Sequence, residues 1–332
     1  MEVVALAPGA DHVCTRYRLA QFLPHFGAAG LEVRVEPLGR SAWERFRQFS
    51  RPRRGQLVLL VRKLLPRWQL ALLRRNAGAL VYDFDDAVFL HDSFHRRGSF
   101  STTRRRRFGA MMRAVDLVLA GNKFLAAAAR REGARHKVHV APTCIDASSY
   151  PPAQHSDRAK RRLVWIGSRS TLQCLEDAGP TLAAIGRAMP QAVLRIVCDQ
   201  FPRFDHLPIE RVPWSPETEK AALATADIGF GWMPDDSWSR GKCGLKILQY
   251  MAAGLPVVAN RIGVHAELVA EGTGFLNTGA PEVLRSVKAL AESRDLRAEM
   301  GGRAREYVRR NFDVRAWAPV LAGLLRETAV RS

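Results

Sequence analysis

Carboxylates are scarce in this chain. Its 332 residues carry 51 Lys and Arg against 32 Asp and Glu, a formal net charge of +19. The shortage is uneven: residues 1–155 hold 26 basic and 12 acidic side chains, the rest 25 and 20. An excess confined to one half suggests a surface for something acidic, whether anionic lipid, nucleic acid or a phosphorylated substrate; the plain alternative is an arginine-rich composition. Cysteine is sparse and unpaired. Cys14, Cys144, Cys174, Cys198 and Cys243 are odd in number and form no C-x-x-C pair, which argues against a disulfide framework or a zinc site. No run approaches the ~18 apolar residues of a membrane span. The opening Met1–Leu6 is apolar, carries Glu2 and has no basic leader, so it is expected to be a first strand in a cytoplasmic protein. Internal repeats are missing, and so are the commonest phosphate-loop signatures. Lys242 is followed by Cys243 where a Walker loop needs Ser or Thr. Gly9 and Gly167 stand alone where a dehydrogenase needs G-x-G-x-x-G.

What is present is a steady alternation of strand and helix, the pattern of an α/β protein. Strand-like runs at Val3–Ala7, Leu31–Glu36, Gln56–Val61, Ala79–Phe84, Asp116–Ala120 and Lys137–Ala141 form a first series. Runs at Arg161–Ile166, Val193–Cys198, Ile209–Pro213, Ile228–Trp232, Leu255–Ala259 and Gly274–Leu276 form a second. A polar, Pro- and Ser-rich stretch between Pro142 and Arg162 separates them. The division expected is residues 1–150, residues 151–312, and a C-terminal helix, 313–332, packing back on the body. Two doubly wound, Rossmann-like units would face each other across a cleft at their strand C-terminal edges, where such sheets bind ligands.

Several clusters carry chemistry. Ser239–Gly263, "SRGKCGLKILQYMAAGLPVVANRIG", places Arg240, Lys242 and Lys246 around the start of a short helix that Gly254 and Pro256 terminate. Unpaired amides and the dipole already favour an anion at the helix start near Gly244 and Leu245, and added cations point to a phosphate; otherwise this is a solvated basic loop. Leu245, Leu248, Met251 and Ala252 would face the core, with Lys246, Gln249 and Tyr250 off that face. Gly167-Ser168-Arg169 ends a strand, where glycine admits a diphosphate and arginine neutralises it, unless this is an ordinary turn. "DFDDAVFLHDS" brings Asp83, Asp85 and Asp86 to a strand end, with His91 and Asp92 beyond. Clustered carboxylates bind a cation, share a proton or hold hydroxyls. A metal-binding D-x-D and a phosphatase aspartate are weighed here against a catalytic or sugar-holding group in the cleft, which is preferred; one of the three aspartates would merely cap the turn. Arg16 and Arg18 follow the first strand and Asn122 the fifth; each is an acceptor-side candidate or simply part of a helix start. The basic runs Arg51–Arg54 and Arg96–Arg107 would dock on an anionic membrane. No nucleic-acid-binding module is recognisable.

Pro234–Leu276 resembles the donor-sugar segment of family 4 glycosyltransferases. "LVWIGSRST" (Leu163–Thr171), "VPWSPETEKAALATADIGFGWMP" (Val212–Pro234) and "KVHVAPTCID" (Lys137–Asp146) agree in order. The resemblance is strong over most of the second domain and loose over the first. It implies a GT-B fold and transfer of a sugar, with retention and without metal or other cofactor, from a nucleoside-diphosphate sugar to a saccharide or lipid-linked acceptor, as in cell-envelope polysaccharide synthesis on the inner face of a membrane. A non-catalytic nucleotide-sugar-binding relative is the alternative. The resemblance also assigns a diphosphate clamp to Arg169 with Lys242 or Lys246, and puts Trp214 on the donor side. This chain departs from the family's E-x7-E pattern. Gln249 stands at the second Glu, which grips ribose, and the first falls on Gly241 or Lys242.

Overall fold

The computed structural model describes residues 1–134 and 137–331, apart from the side chain of Arg54. The chain folds as two compact units. Met1–Ile145, Arg240–Cys243 and Val314–Ser332 make the first; Asp146–Ser239 and Gly244–Asp313 make the second. The interior boundary thus falls at Ile145, close to the expected residue 150. Less expected are four residues, Arg240–Cys243, that leave the second unit's sequence and count with the first.

The first unit holds β1 (Glu2–Ala7), β2 (Glu32–Pro37), β3 (Arg53–Val61), β4 (Ala77–Phe84), β5 (Leu117–Ala120) and β6 (Val138–Val140). They form one parallel sheet in the order β2-β1-β3-β4-β5-β6. Central β4 is apolar almost throughout, as a strand covered on both faces must be. The helix Val314–Arg331 packs against one face, burying Val314, Ala318, Leu321, Ala322 and Leu325 with Val3, Leu57 and Val81. Helices Ala42–Phe49, Arg67–Asn76 and Thr102–Ala114 lie side by side. The first of these, opened by a Ser41–Glu44 capping box, is not among the expected helices.

The second unit holds β7 (Arg161–Ile166), β8 (Ala192–Cys198), β9 (Ile209–Pro213), β10 (Ile228–Gly231), β11 (Val257–Asn260) and β12 (Gly274–Asn277). Its parallel order is β12-β11-β10-β7-β8-β9. That is the doubly wound order of dinucleotide folds, whereas the first sheet follows the flavodoxin-like order. The single helix expected over Cys174–Met189 is two, Arg169–Asp177 and Gly179–Ala188, broken at Ala178. Pro142–Arg162 is no free linker: Ala153 and Gln154 donate backbone hydrogen bonds to Ala253 and Ala224 within the second unit.

Candidate functional site

Parallel strands bring their C-terminal ends to one edge, and the order of the first sheet reverses between β1 and β3. Ligands of open α/β sheets bind at such a switch point. Arg62 sits there, directly after β3, at φ +63, a left-handed conformation that is costly for a residue with a Cβ. Its amide donates to the Asp83 carbonyl at 2.7 Å, and its own carbonyl accepts from the Tyr82 hydroxyl at 2.9 Å. So held, its guanidinium lies 2.5 Å from Asp86 and 3.5 Å from Asp85. Lys242 Nζ meets the other Asp86 oxygen at 2.9 Å. Burial alone would lower the Lys242 pKa; the facing Asp86 carboxylate outweighs it and the pKa rises. Asp85 Oδ1 also accepts from the Cys14 thiol at 3.2 Å. Burial, and after it the Asp85 charge, push that thiol's pKa up.

Lys242 reaches Asp86 because a polar anchor and two glycines hold its loop. Asn122 caps the helix Lys123–Arg131 by accepting from Leu125 N at 2.8 Å, and its amide donates to the Arg240 and Lys242 carbonyls at 3.2 and 2.9 Å. A Cβ on Gly241 would stand 2.6 Å from that of Ala87, and one on Gly121 2.3 Å from Cys243 Sγ.

The expected residues of this half fare unequally. Asp85 and Asp86 are brought together with Arg62 and Lys242. Lys242, expected beside the donor phosphates of the second domain, instead belongs to the first unit and pairs with Asp86. Arg18 is buried in a two-pronged bridge to Asp83, at 2.9 and 2.5 Å, with a third bond to the Ala141 carbonyl at 2.8 Å; it braces the end of β4 and does not face solvent. Arg16 lies on the same short helix, half-buried. His91 stacks on His95, ring centroids 3.8 Å apart, and among the described residues it touches neither Asp85 nor Asp86. The run Arg51–Arg54 is not a free basic patch: Arg53 is buried against Glu36 at 2.8 Å, and the Arg54 side chain lies outside the described set. Sequence reasoning passed over Arg62 and also His12, whose Nδ1 accepts from Cys14 N at 3.1 Å and whose pKa is lowered by burial and then by Arg62. A lone arginine ending a strand carries no local signature; only the fold places it.

In the second unit the sheet order reverses between β7 and β10. Gly167 follows β7 and allows no side chain, since a Cβ there would meet Trp165 Cη2 at 2.3 Å and Thr171 Oγ1 at 2.7 Å. Lys246, in the first turn of the helix Leu245–Ala252, points at this place. Its Nζ donates to Thr171 Oγ1 at 3.1 Å and lies 3.9 Å over the Trp165 ring. Gly244 caps that helix at φ +67, where a Cβ would strike Leu268. The first turn of the helix Arg169–Asp177 also opens here, with Ser168 and Arg169 exposed, and the Arg169 amide donates to Asp199 at 3.0 Å. Two helix starts, a bare glycine and a half-buried ammonium thus meet in one cradle, a setting whose charge and dipoles suit an anion.

Gln249 departs from expectation. It is buried, and its amide donates to Glu219 at 2.6 Å and the Tyr150 hydroxyl at 3.1 Å, so both amide protons are committed inside the protein. Tyr250, placed off the core face by periodicity, is wholly buried, and its hydroxyl accepts from Ile166 N at 3.1 Å. This helix is covered all round because it packs on both the sheet and the helix Arg294–Asn311. Trp214 donates its indole N–H to Glu219 at 2.7 Å and leaves its ring 40% exposed.

Residues 179–322, under half of the chain, match the family model described as glycosyl transferase-like. No curated protein matches the chain. Among solved structures, sucrose-phosphate synthase from Thermosynechococcus elongatus is 15% identical with a TM-score of 0.76, covering 100% of both chains. A glycosyltransferase from Rickettsia africae is 12% identical, TM-score 0.72, over 100% of this chain and 99% of that one. HepE from Anabaena, solved with UDP and glucose, is 17% identical, TM-score 0.67, over 98% and 100%. At these identities the likeness is one of fold: two parallel-sheet α/β domains of the GT-B type. With the family match it supports a glycosyltransferase-like chain.

Proposed function

We propose that the protein is a glycosyltransferase that takes a sugar from a nucleoside-diphosphate sugar, with the donor diphosphate in the cradle around Lys246. The observation that carries this reading is the Lys246 ammonium, held between Thr171 and the Trp165 ring at the switch point of the second sheet. As the glycosidic bond breaks, its electron pair goes to the diphosphate oxygen. Lys246, Arg169 and the amides of two helix starts oppose that developing charge without having to reorganise. Trp214, with its indole pinned by Glu219, offers a flat platform for the nucleobase. HepE, solved with UDP-glucose, makes UDP-glucose the first donor to try. In the first unit, Asp85 and Asp86, set among Arg62 and Lys242, receive acceptor hydroxyls. Retention of configuration and independence of metal belong to the proposal, since fixed protein cations take the role a metal would fill.

Calorimetric titration with UDP-glucose, and with GDP-, ADP- and dTDP-sugars, tests it. Lys246→Ala is expected to weaken donor binding by about tenfold to a hundredfold, the worth of a hydrogen bond to a charged group. Unchanged affinity in both Lys246→Ala and Arg169→Ala would sink the cradle assignment. Chelator is expected to leave turnover unchanged, and proton NMR of the product to show the donor's anomeric configuration. The commitment of Gln249 to Glu219 and Tyr150 favours a second reading, a non-catalytic nucleotide-sugar-binding protein. Donor binding with neither hydrolysis nor transfer would decide for it.

A further inference from the structure

The first unit carries large apolar rings in water. Trp43 and Phe46, on the outer side of the helix Ala42–Phe49, stack with centroids 5.5 Å apart and are 65% and 40% exposed. Trp68, second residue of the neighbouring helix Arg67–Asn76, is 51% exposed, and Phe100, just before the helix Thr102–Ala114, is 62% exposed. Scattered exposed rings are ordinary, but a cluster rimmed by polar groups marks a contact surface. Here Trp43, Phe46 and Trp68 lie on adjoining helices, and Phe100 leads into a third that adjoins the second. Each of the three helices follows a parallel strand of one sheet, so their first turns lie toward the same edge. Arg45 also bridges from the first helix to Gln69, one residue past Trp68, at 3.2 Å.

Cations converge among the rings. Burial, then the charges of Arg45, Arg107 and Arg104 in that order, lower the pKa of Lys63. Lys63 follows β3 at this edge, and Arg45, Arg104 and Arg107 lie on the first and third of the helices; among the described residues none of the four has a carboxylate in bridging range. Crowded cations left without counter-charges repel one another, so the free protein holds a site that an extended anionic surface would relieve. Arg51–Arg54 takes no part: it stands at the opposite end of β3, nine residues away from that edge, with Arg53 buried.

We propose that this aromatic and cationic corner docks the protein on the surface of an anionic lipid bilayer. Tryptophan and phenylalanine settle at the headgroup level, where an apolar ring leaves water beside polar groups, and arginine and lysine around them meet the lipid phosphates. A protein partner would have to supply acidic groups over three helices, and a nucleic acid would need a groove following its backbone; a bilayer presents both the charge and the apolar layer as one plane. Docking does not depend on the sugar-transfer reading. It would, however, hold the Asp85 and Asp86 edge of the same sheet next to the lipid surface, where a lipid-linked acceptor would be presented.

Flotation with vesicles of phosphatidylcholine alone, and of phosphatidylcholine mixed with phosphatidylglycerol, tests the proposal. The whole chain is expected to float with the mixed vesicles and not with the neutral ones. The double change Arg104→Gln with Arg107→Gln, and separately Trp43→Ser with Trp68→Ser, is each expected to weaken binding by about tenfold or more. Trp43, Trp68 and Arg104 are exposed and Arg107 is half-buried with no carboxylate in bridging range among the described residues, so these variants are expected to keep the wild-type melting temperature and donor affinity, which separates loss of docking from loss of fold or of the donor site. Brominated lipid is expected to quench tryptophan fluorescence in the wild type and less so in the Trp43 and Trp68 variant. Three results would overturn the proposal: no flotation with anionic vesicles, flotation undiminished in both double variants, or single-stranded RNA binding or self-association that the same variants abolish while vesicle binding is absent.

Discussion

His265 shows how one buried side chain can set a pH dependence. It is 4% exposed, and burial, which the Asn260 carbonyl contact only partly offsets and the Lys246 charge slightly reinforces, lowers its pKa to about 4. A folded pKa below the unfolded value means that the unfolded chain takes up the proton first. The stability tied to this residue is therefore whole above about pH 6.5 and falls away as pH drops toward 4. Replacing it with glutamine, which cannot ionise, is expected to recover roughly 3 kcal/mol of the acid loss over that window, read as urea unfolding at pH 7 and pH 4. Arg18 and Asp83 answer to a different rule. Each is buried against the other, so Arg18→Ala leaves an uncompensated carboxylate and is expected to cost about 3–5 kcal/mol in denaturant unfolding. A phosphate-binding surface arginine would instead have cost ligand affinity and little stability.

At the level of elements, the loop Arg240–Cys243 is the decisive piece. Its cations were readable in the sequence, as was the glycine that begins the helix after it. Which unit each cation serves was not, because Lys242 and Lys246 are four residues apart and local periodicity cannot separate them. Gly244 makes the separation: at φ +67 it turns the chain between the two lysines. Gly244→Ala would strain that turn and strike Leu268, and is expected to cost about 2–3 kcal/mol and to weaken donor binding through the misplaced helix start. Gly241→Ala would press on Ala87 instead. Its expected signature is a disturbed Lys242–Asp86 bridge, read as lowered turnover with donor affinity kept. Equal loss of both would mean the loop acts on the two sites together.

On the scale of the whole molecule, the chain closes on itself. It leaves the first unit after Ile145 and returns at Val314, whose amide donates to the Ile145 carbonyl at 3.1 Å. The returning helix buries five apolar side chains in the first unit's core. Truncation after Asp313 is therefore expected to expose that core and unfold the first unit, while the second, with its own core around Leu163, Ile196 and Phe230, keeps its donor affinity. Heat-capacity scans with and without donor would read the two separately.

The sequence by itself determined the strands and the α/β class. Apolar runs of strand length, punctuated by glycine, proline and polar turns, are local facts that burial enforces on any such chain. It also singled out Gly167 and Lys246, which the structure brings to one place around Thr171. Only the tertiary structure decided which charges meet. Arg62 and Asp86 are 24 residues apart, Asp86 and Lys242 156 apart, and nothing local to any of them indicates the pairing. Likewise, Gln249 and Tyr250 looked peripheral by helical period and proved buried, because that helix is covered on more than one side. Local pattern fixes what each segment becomes; the parallel stacking of strand ends fixes which side chains share a site.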